Sequence, residues 1–230
     1  MKTLIIPDIH TRFDVAESFI DKEKPDNVVF LGDYFDAFDD TLEITEKTAL
    51  WLKDSLKKRN RIHLLGNHDL SYKDTRFSCS GFSEEKLIIL KKVRMDLTKL
   101  EHYCWVGDND WLCTHAGLSK EFYELYKNKD DDNGESVNDF LVRHCSDPQL
   151  QLRLYDCGPS RGGQDDCGGI VWCDYFDFVD IPKTRQIFGH TRRAGLVQTE
   201  NHICLDSGLQ NYAVYDDDDN DNGNMTIKSK

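Results

Sequence analysis

The chain has 230 residues, 39% hydrophobic and 11% aromatic, enough for one domain with a full core. Its 42 acidic and 29 basic residues give a formal net charge of −13, which disfavours broad, salt-driven binding to long nucleic acid. No apolar run reaches membrane-spanning length, and Asp8 and His10 close the apolar start too early for a signal peptide, so a cytoplasmic location without a membrane partner is expected.

Residues 3–6 (TLII), 28–31 (VVFL) and 62–65 (IHLL) are short apolar runs that suit buried strands. Helical patterns lie between and after them, over 14–24, 42–56 and 84–100. In the second, Leu42, Thr45, Ala49, Leu52 and Leu56 share a face, and Asp40 with Glu43 reads as its start. This alternation predicts largely parallel strands with crossover helices. HYCWV and DWLCTH then flank the turn signal at 107–110, a hairpin. Residues 119–128 and 136–155 suit helices, and 158–169 form an irregular glycine-rich stretch. Strands follow at 186–188, 195–199, 202–206 and 212–215, spaced like a meander. The expected architecture is one α/β domain over 1–230, two packed sheets with outer helices and a helical insertion at about 119–160.

None of the eight cysteines forms a C-x-x-C pair, so free thiols are expected and a structural zinc site is not. A bridge between Cys157 and Cys167 has nothing specific behind it. The acidic runs at 130–132 and 216–219 lack the spacing of an EF-hand loop and read as solvated loops.

The apolar runs share one property: what ends them. The first leads to Asp8 and His10, the second to Asp33 and Asp36, and the third to Gly66-Asn67-His68-Asp69. Residues 111–114 lead to His115-Ala116-Gly117, and 186–188 to Gly189-His190-Thr191. Alone, Gly-Asn-His-Asp is an ordinary turn. Five strand ends carrying imidazole, carboxylate or amide make a site, because ligands gather at the carboxyl ends of strands in α/β sheets. Nitrogen and oxygen donors without thiolate suit Mn²⁺, Fe²⁺ or Zn²⁺. Two such ions form the usual centre for phosphoester hydrolysis.

The ordered set Asp-x-His, Gly-Asp-x-x-Asp, Gly-Asn-His-Asp, His-Ala-Gly and Gly-His-Thr, running from residue 8 to 191, resembles the calcineurin-like metallophosphoesterases. That resemblance implies a calcineurin-like α/β/β/α sandwich of two mixed sheets. It implies two divalent ions, Mn²⁺ foremost with Fe or Zn as alternatives. Asp8 and His10 would hold the first, Asp33 both, and Asn67, His115 and His190 the second. It further implies that a hydroxide bridging the metals attacks phosphorus. His68, oriented and charged by Asp36, protonates the leaving oxygen. The proton donor must be free of metal, and imidazole suits that task near neutrality.

The form His-Ala-Gly followed by Gly-His-Thr is similar to the phosphoprotein phosphatase group, especially its short bacterial and bacteriophage members. A Ser/Thr-type phosphomonoesterase acting on a phosphoprotein or small phosphoester follows from that resemblance. Its location would be a host's cytoplasm if the chain is phage-encoded. Two positions depart from the group's pattern: Pro7 and Thr11 flank Asp-x-His, and Ala37 stands where Asp-Arg-Gly has its phosphate-binding arginine. Arg161, in the glycine-rich stretch, is the first candidate to replace it, with Arg12 and Arg192 beside motifs as others. The alternatives are a phosphodiesterase or nucleotide pyrophosphatase on small nucleotides, and a non-catalytic scaffold. Thr191-Arg192 lacks the second histidine common in the diesterases, and the full donor set argues against the scaffold.

Overall fold

Leu4, Ile6, Val28 and Phe30 are buried in one apolar layer, and Ile5 and Val29, between them in sequence, in another. Side chains of a strand alternate faces, so both runs are strands covered on both sides. The computed structural model describes residues 1–129, 134–217 and 223–230. Its strands are β1 (Lys2–Ile6), β2 (Asn27–Phe30), β3 (Arg61–His63), β4 (Tyr103–Val106), β5 (Trp111–Thr114), β6 (Arg185–Phe188), β7 (Val197–Gln198), β8 (His202–Cys204), β9 (Asn211–Asp216) and β10 (Asn224–Ser229). Its helices are α1 (Phe13–Glu23), α2 (Leu42–Ser55), α3 (Asn67–Lys73), α4 (Glu84–Lys92), α5 (Lys120–Tyr126), α6 (Val137–Ser146) and α7 (Pro148–Arg153).

The strands form two five-stranded sheets, ordered β10-β9-β1-β2-β3 and β4-β5-β6-β8-β7. In the first, β1, β2 and β3 run parallel and β9 and β10 antiparallel. In the second, β5, β6 and β8 run parallel, with β4 and β7 antiparallel at the edges. Ile5, Val29, Trp111, Cys113, Ile187, Ile203 and Ala213 pack between the sheets. The opposite face of β1 and β2 packs with Ala16 and Phe19 of α1 and Ala49 and Leu52 of α2. This is the expected α/β/β/α sandwich, and α5, α6 and α7 occupy the expected insertion.

Local chemistry moves several boundaries. Thr41, not Asp40, caps α2 by accepting from Ile44 N, while Asp40 turns to Lys86. The helix expected over 84–100 stops at Lys92. Arg94 is left-handed there (φ 56°), and the chain continues as a 3₁₀ turn at Leu97–Lys99. The stretch 136–155 splits at Asp147, whose carboxylate caps α7 ahead of Pro148. The expected meander is replaced: β6 and β8 are parallel, and β9 crosses to the first sheet beside β1, where β10 adds a strand not foreseen. Gly66-Asn67-His68-Asp69 is the start of α3 rather than a loop. All eight cysteines are free. The acidic runs lie outside the described residues, except Asp216 at the end of β9 and Asp217 after it.

Candidate active site

The loops after β1, β2, β3, β5 and β6 meet at one end of the two sheets. His10 N donates to Asp33 O (2.8 Å), Thr11 N to Tyr34 O (2.9 Å) and Gly189 N to His115 O (2.7 Å). His10, Thr11, Asp33, Asp36 and His190 all have φ between 43° and 66°. Left-handed backbone at non-glycine residues costs energy and persists where the surroundings force a side chain into place. Close approach explains two of the glycines. A Cβ on Gly66 would collide with the Asp33 carboxylate and backbone, and one on Gly189 with Asp8 Oδ1.

Two groups of donor atoms converge there, one of His10, Asp33 and His68 and one of Asp33, His115 and His190. Asn67 Oδ1 lies 2.9 Å from His115 Nε2 and 2.8 Å from His190 Nδ1, and those nitrogens are 3.2 Å apart. Asp33 Oδ2 lies 3.5 Å from His115 Nε2 and 3.8 Å from His10 Nε2, facing both groups. Ligands about 2.1 Å from one octahedral ion sit about 3 Å from each other, close to the spacing of the Asn67, His115 and His190 atoms. Nδ1 of His10 faces Phe35 O (3.0 Å) and Nδ1 of His115 faces Leu31 O (2.8 Å). A carbonyl only accepts, so each ring puts its proton on Nδ1 and turns the Nε2 lone pair to the cluster.

The electrostatics agree with this donor set. Burial lowers the proton affinity of His115 and, reinforced by the His115 charge, of His190, favouring the neutral imidazoles a metal needs. Burial opposes the charge of Asp33, but the imidazoles of His115, His68, His10 and His190 outweigh it and hold the carboxyl well below its usual range. Burial and the negative charges of Asp206 and Asp33 push Asp8 up. Both Asp8 oxygens accept from His190 N, at 3.1 and 3.0 Å. Carboxylates beside imidazoles whose protonation burial disfavours, as at His115 and His190, form a donor set that a pair of divalent cations fits.

His68 stands apart from the Asn67, His115 and His190 atoms. Its Nδ1 is 3.1 Å from Asp36 Oδ2, and its ring meets that of His10 edge-on at 5.1 Å. Burial opposes its charge, but Asp33 and the hydrogen bond to Asp36 push its pKa up to about 11. A cavity of about 640 Å³ opens over His10 and His68, and Arg12, Asp36, Phe38 and Arg192 also line it. Arg161 does not line this cavity. It is held by Asp174 (2.7 Å) and Thr191 (2.6 Å), next to His190.

Two site neighbours escape a reading by motif. Asp69, fully buried, accepts from the backbone N–H of Asp33 (2.8 Å), Tyr34 (2.9 Å) and Gly66 (3.0 Å), pinning the second motif to the third. Its place three residues after Gly66 is the capping signal that could have revealed it. Asp206 lies buried beside Asp8 and lines the cavity, and its place just past β8, the offset of Asp8 after β1, is the strand-end signal that could have revealed it.

A two-sheet sandwich with nitrogen and oxygen donors gathered at its strand ends is an arrangement that suits metal-assisted hydrolysis. Residues 1–193 match the model of the calcineurin-like phosphoesterases, and the chain belongs to that family. It is a phosphoric ester hydrolase of a class that works with a dinuclear metal centre. No curated protein matches the sequence significantly. Among solved structures the chain is similar to a protein serine/threonine phosphatase from Saccharomyces cerevisiae. That likeness has 14% identity and a TM-score of 0.54, over all of this chain and 80% of that one. It is also similar to a candidate diadenosine tetraphosphatase, with 16% identity and a TM-score of 0.49, over 99% of this chain and 93% of the other. At such identities the likeness is one of fold. Among the described residues, no helix is long and apolar enough to cross a membrane.

Proposed function

We propose that the chain is a dinuclear-metal-dependent phosphomonoesterase of the Ser/Thr protein phosphatase type, acting in the cytoplasm as one catalytic domain over 1–230. The observation that carries this reading is the His68–Asp36 pair beside the converged donors, opening into a cavity lined by Arg12 and Arg192. Asp8 and His10 hold one ion, Asn67, His115 and His190 the other, and Asp33 both. The nitrogen and oxygen donors favour Mn²⁺, with Fe or Zn as alternatives. Bound there, the ions supply Lewis acidity to the phosphoryl oxygens and lower the pKa of an attacking water.

The protein's own groups supply the rest. His68 delivers its proton from Nε2 to the departing ester oxygen while Asp36 holds Nδ1. Arg12 and Arg192 offer positive charge to a dianionic monoester, a role that Arg161, engaged with Asp174 and Thr191, would fill only by leaving them. One observation favours a second reading, hydrolysis of a small nucleotide diester or pyrophosphate: Phe38 stands fully exposed at the cavity, where a base could stack.

Mn²⁺-dependent hydrolysis of an aryl phosphate monoester beside its diester separates the two readings. The monoester should be preferred, and His68→Asn should bind Mn²⁺ yet lose about 100-fold or more on esters with poor leaving groups. Diester preference would overturn the phosphatase reading and leave the metal site standing.

A further inference from the structure

Lys86 is a lysine almost without water around it, 8% exposed, at the first turn of α4. Its ammonium lies 2.8 Å from Asp36 Oδ1, 2.9 Å from Asp40 Oδ2 and 3.0 Å from Gly81 O. Its N–H groups donate to Asp36 Oδ1 and Gly81 O, and Asp40 pairs with it as an ion. Lys86 does not line the cavity, so it is not placed to meet substrate. It therefore does not replace the phosphate-binding arginine missing after Asp36.

What it does touch is Asp36. Oδ1 of that carboxylate also accepts from the Tyr72 hydroxyl at 2.7 Å, which leaves Oδ2 for His68 Nδ1. We propose that Lys86, together with Tyr72, is a positioning residue for phosphoryl transfer. By occupying Asp36 Oδ1, the two donors fix the carboxylate so that Oδ2 aims the His68 ring, Nε2 outward, at the leaving oxygen. The inference rests on the reading of His68 as the general acid.

The packing supports it: the Lys86 ammonium sits between the carboxylates of Asp36 and Asp40. The backbone also needs an anchor there, because Asp36 is left-handed (φ 65°) and would relax if its side chain were free. Gly81 closes over the same carboxylate, where a Cβ would come within 2.8 Å of Asp36 Cβ. Lys86 thus ties the 36–40 loop and the loop before α4 together through one nitrogen atom. The competing account is that Lys86 only neutralises two buried carboxylates. That role predicts lost stability, and no dependence on the leaving group.

The test compares phenyl phosphate, a poor leaving group, with 4-nitrophenyl phosphate, a good one, on the Mn²⁺-loaded enzyme. It uses His68→Asn, Lys86→Met, Tyr72→Phe and the His68→Asn/Lys86→Met double variant, each with its Mn²⁺ stoichiometry measured by calorimetry. Lys86→Met should lose about tenfold in kcat on phenyl phosphate and less than about twofold on 4-nitrophenyl phosphate. Tyr72→Phe, which removes only a hydroxyl, should lose less in the same pattern. The double variant should match His68→Asn, because a positioning residue has nothing left to position. Equal losses on both esters, losses that multiply with that of His68→Asn, or a Tyr72→Phe variant indistinguishable from the parent would overturn the proposal. If His68→Asn itself loses equally on both esters, the acid role of His68 falls first, a result that Lys86→Met cannot produce.

Discussion

A glycine that contacts a carboxylate leaves no room for error. Gly66 packs so closely on Asp33 that any side chain must move it, and Asp33 faces both donor groups. Gly66→Ala should therefore weaken Mn²⁺ binding at both positions and lower kcat/KM by about 100-fold, the scale expected when a reacting group shifts by about 1 Å. Calorimetry with Mn²⁺ beside steady-state kinetics checks this, and unaltered stoichiometry and affinity would refute it. At this scale the sequence was informative wherever a polar residue interrupted an apolar run. Asp8, Asp33, Asn67, His115 and His190 each announce themselves by ending a strand. Lys86 does not, because a buried charge in a chain rich in surface charges carries no local mark. Its meaning lies in a partner distant in sequence, fifty residues away in the case of Lys86 and Asp36.

Asp69 is where one residue becomes a joint between elements. Its carboxylate satisfies N–H groups at the end of β2 and the start of α3 together, so the strand that carries Asp33 and the helix that carries Asn67 and His68 are set by one group. Asp69→Ala leaves those buried donors unpaired. It should cost about 3 kcal/mol or more in urea unfolding, since each orphaned buried donor costs roughly 1–3 kcal/mol. The cost should persist in metal-free protein, and a change within about 0.5 kcal/mol would refute the role. The elements themselves were legible in the sequence as periodicity. Where they begin and end was not, because boundaries depend on single residues: Thr41 ahead of α2, Arg94 after α4, Asp147 ahead of α7. The partners of β8 and β9 were not legible either. Their spacing fits a meander, but the free backbone edge of β1 takes β9 as its antiparallel partner from the far end of the chain.

The whole molecule depends on that late return. Residues 194–230, beyond the family match, supply β8 beside β6 and the β9–β10 pair beside β1, the strand that delivers Asp8 and His10. Glu23, at the end of α1, fastens this edge. Its carboxylate accepts from Lys2 Nζ of β1 (2.8 Å), Lys228 Nζ of β10 (2.7 Å) and the Tyr212 hydroxyl of β9 (2.8 Å). Burial opposes its charge, but these three donors outweigh burial and hold its pKa at about 2, against an ordinary value of 4.5. A carboxyl whose pKa is depressed by folding stabilises fully above its unfolded value, and that stabilisation fades as pH falls through the folded one. The window here runs from about pH 5 down to about pH 2. Lys2 and Lys228 are partly exposed, at 29% and 39%, so solvent screening reduces the contribution to about 1–2 kcal/mol. Glu23→Gln should therefore be less stable than the parent at pH 7 by that amount and should lose less stability between pH 5 and pH 2. The two denaturation-midpoint curves should converge toward acid. Parallel curves across that range would show that Glu23 holds the edge by packing and hydrogen bonds alone. In that case the β9–β10 return would owe its place to the apolar contacts of Ala213 and Val214 rather than to charge.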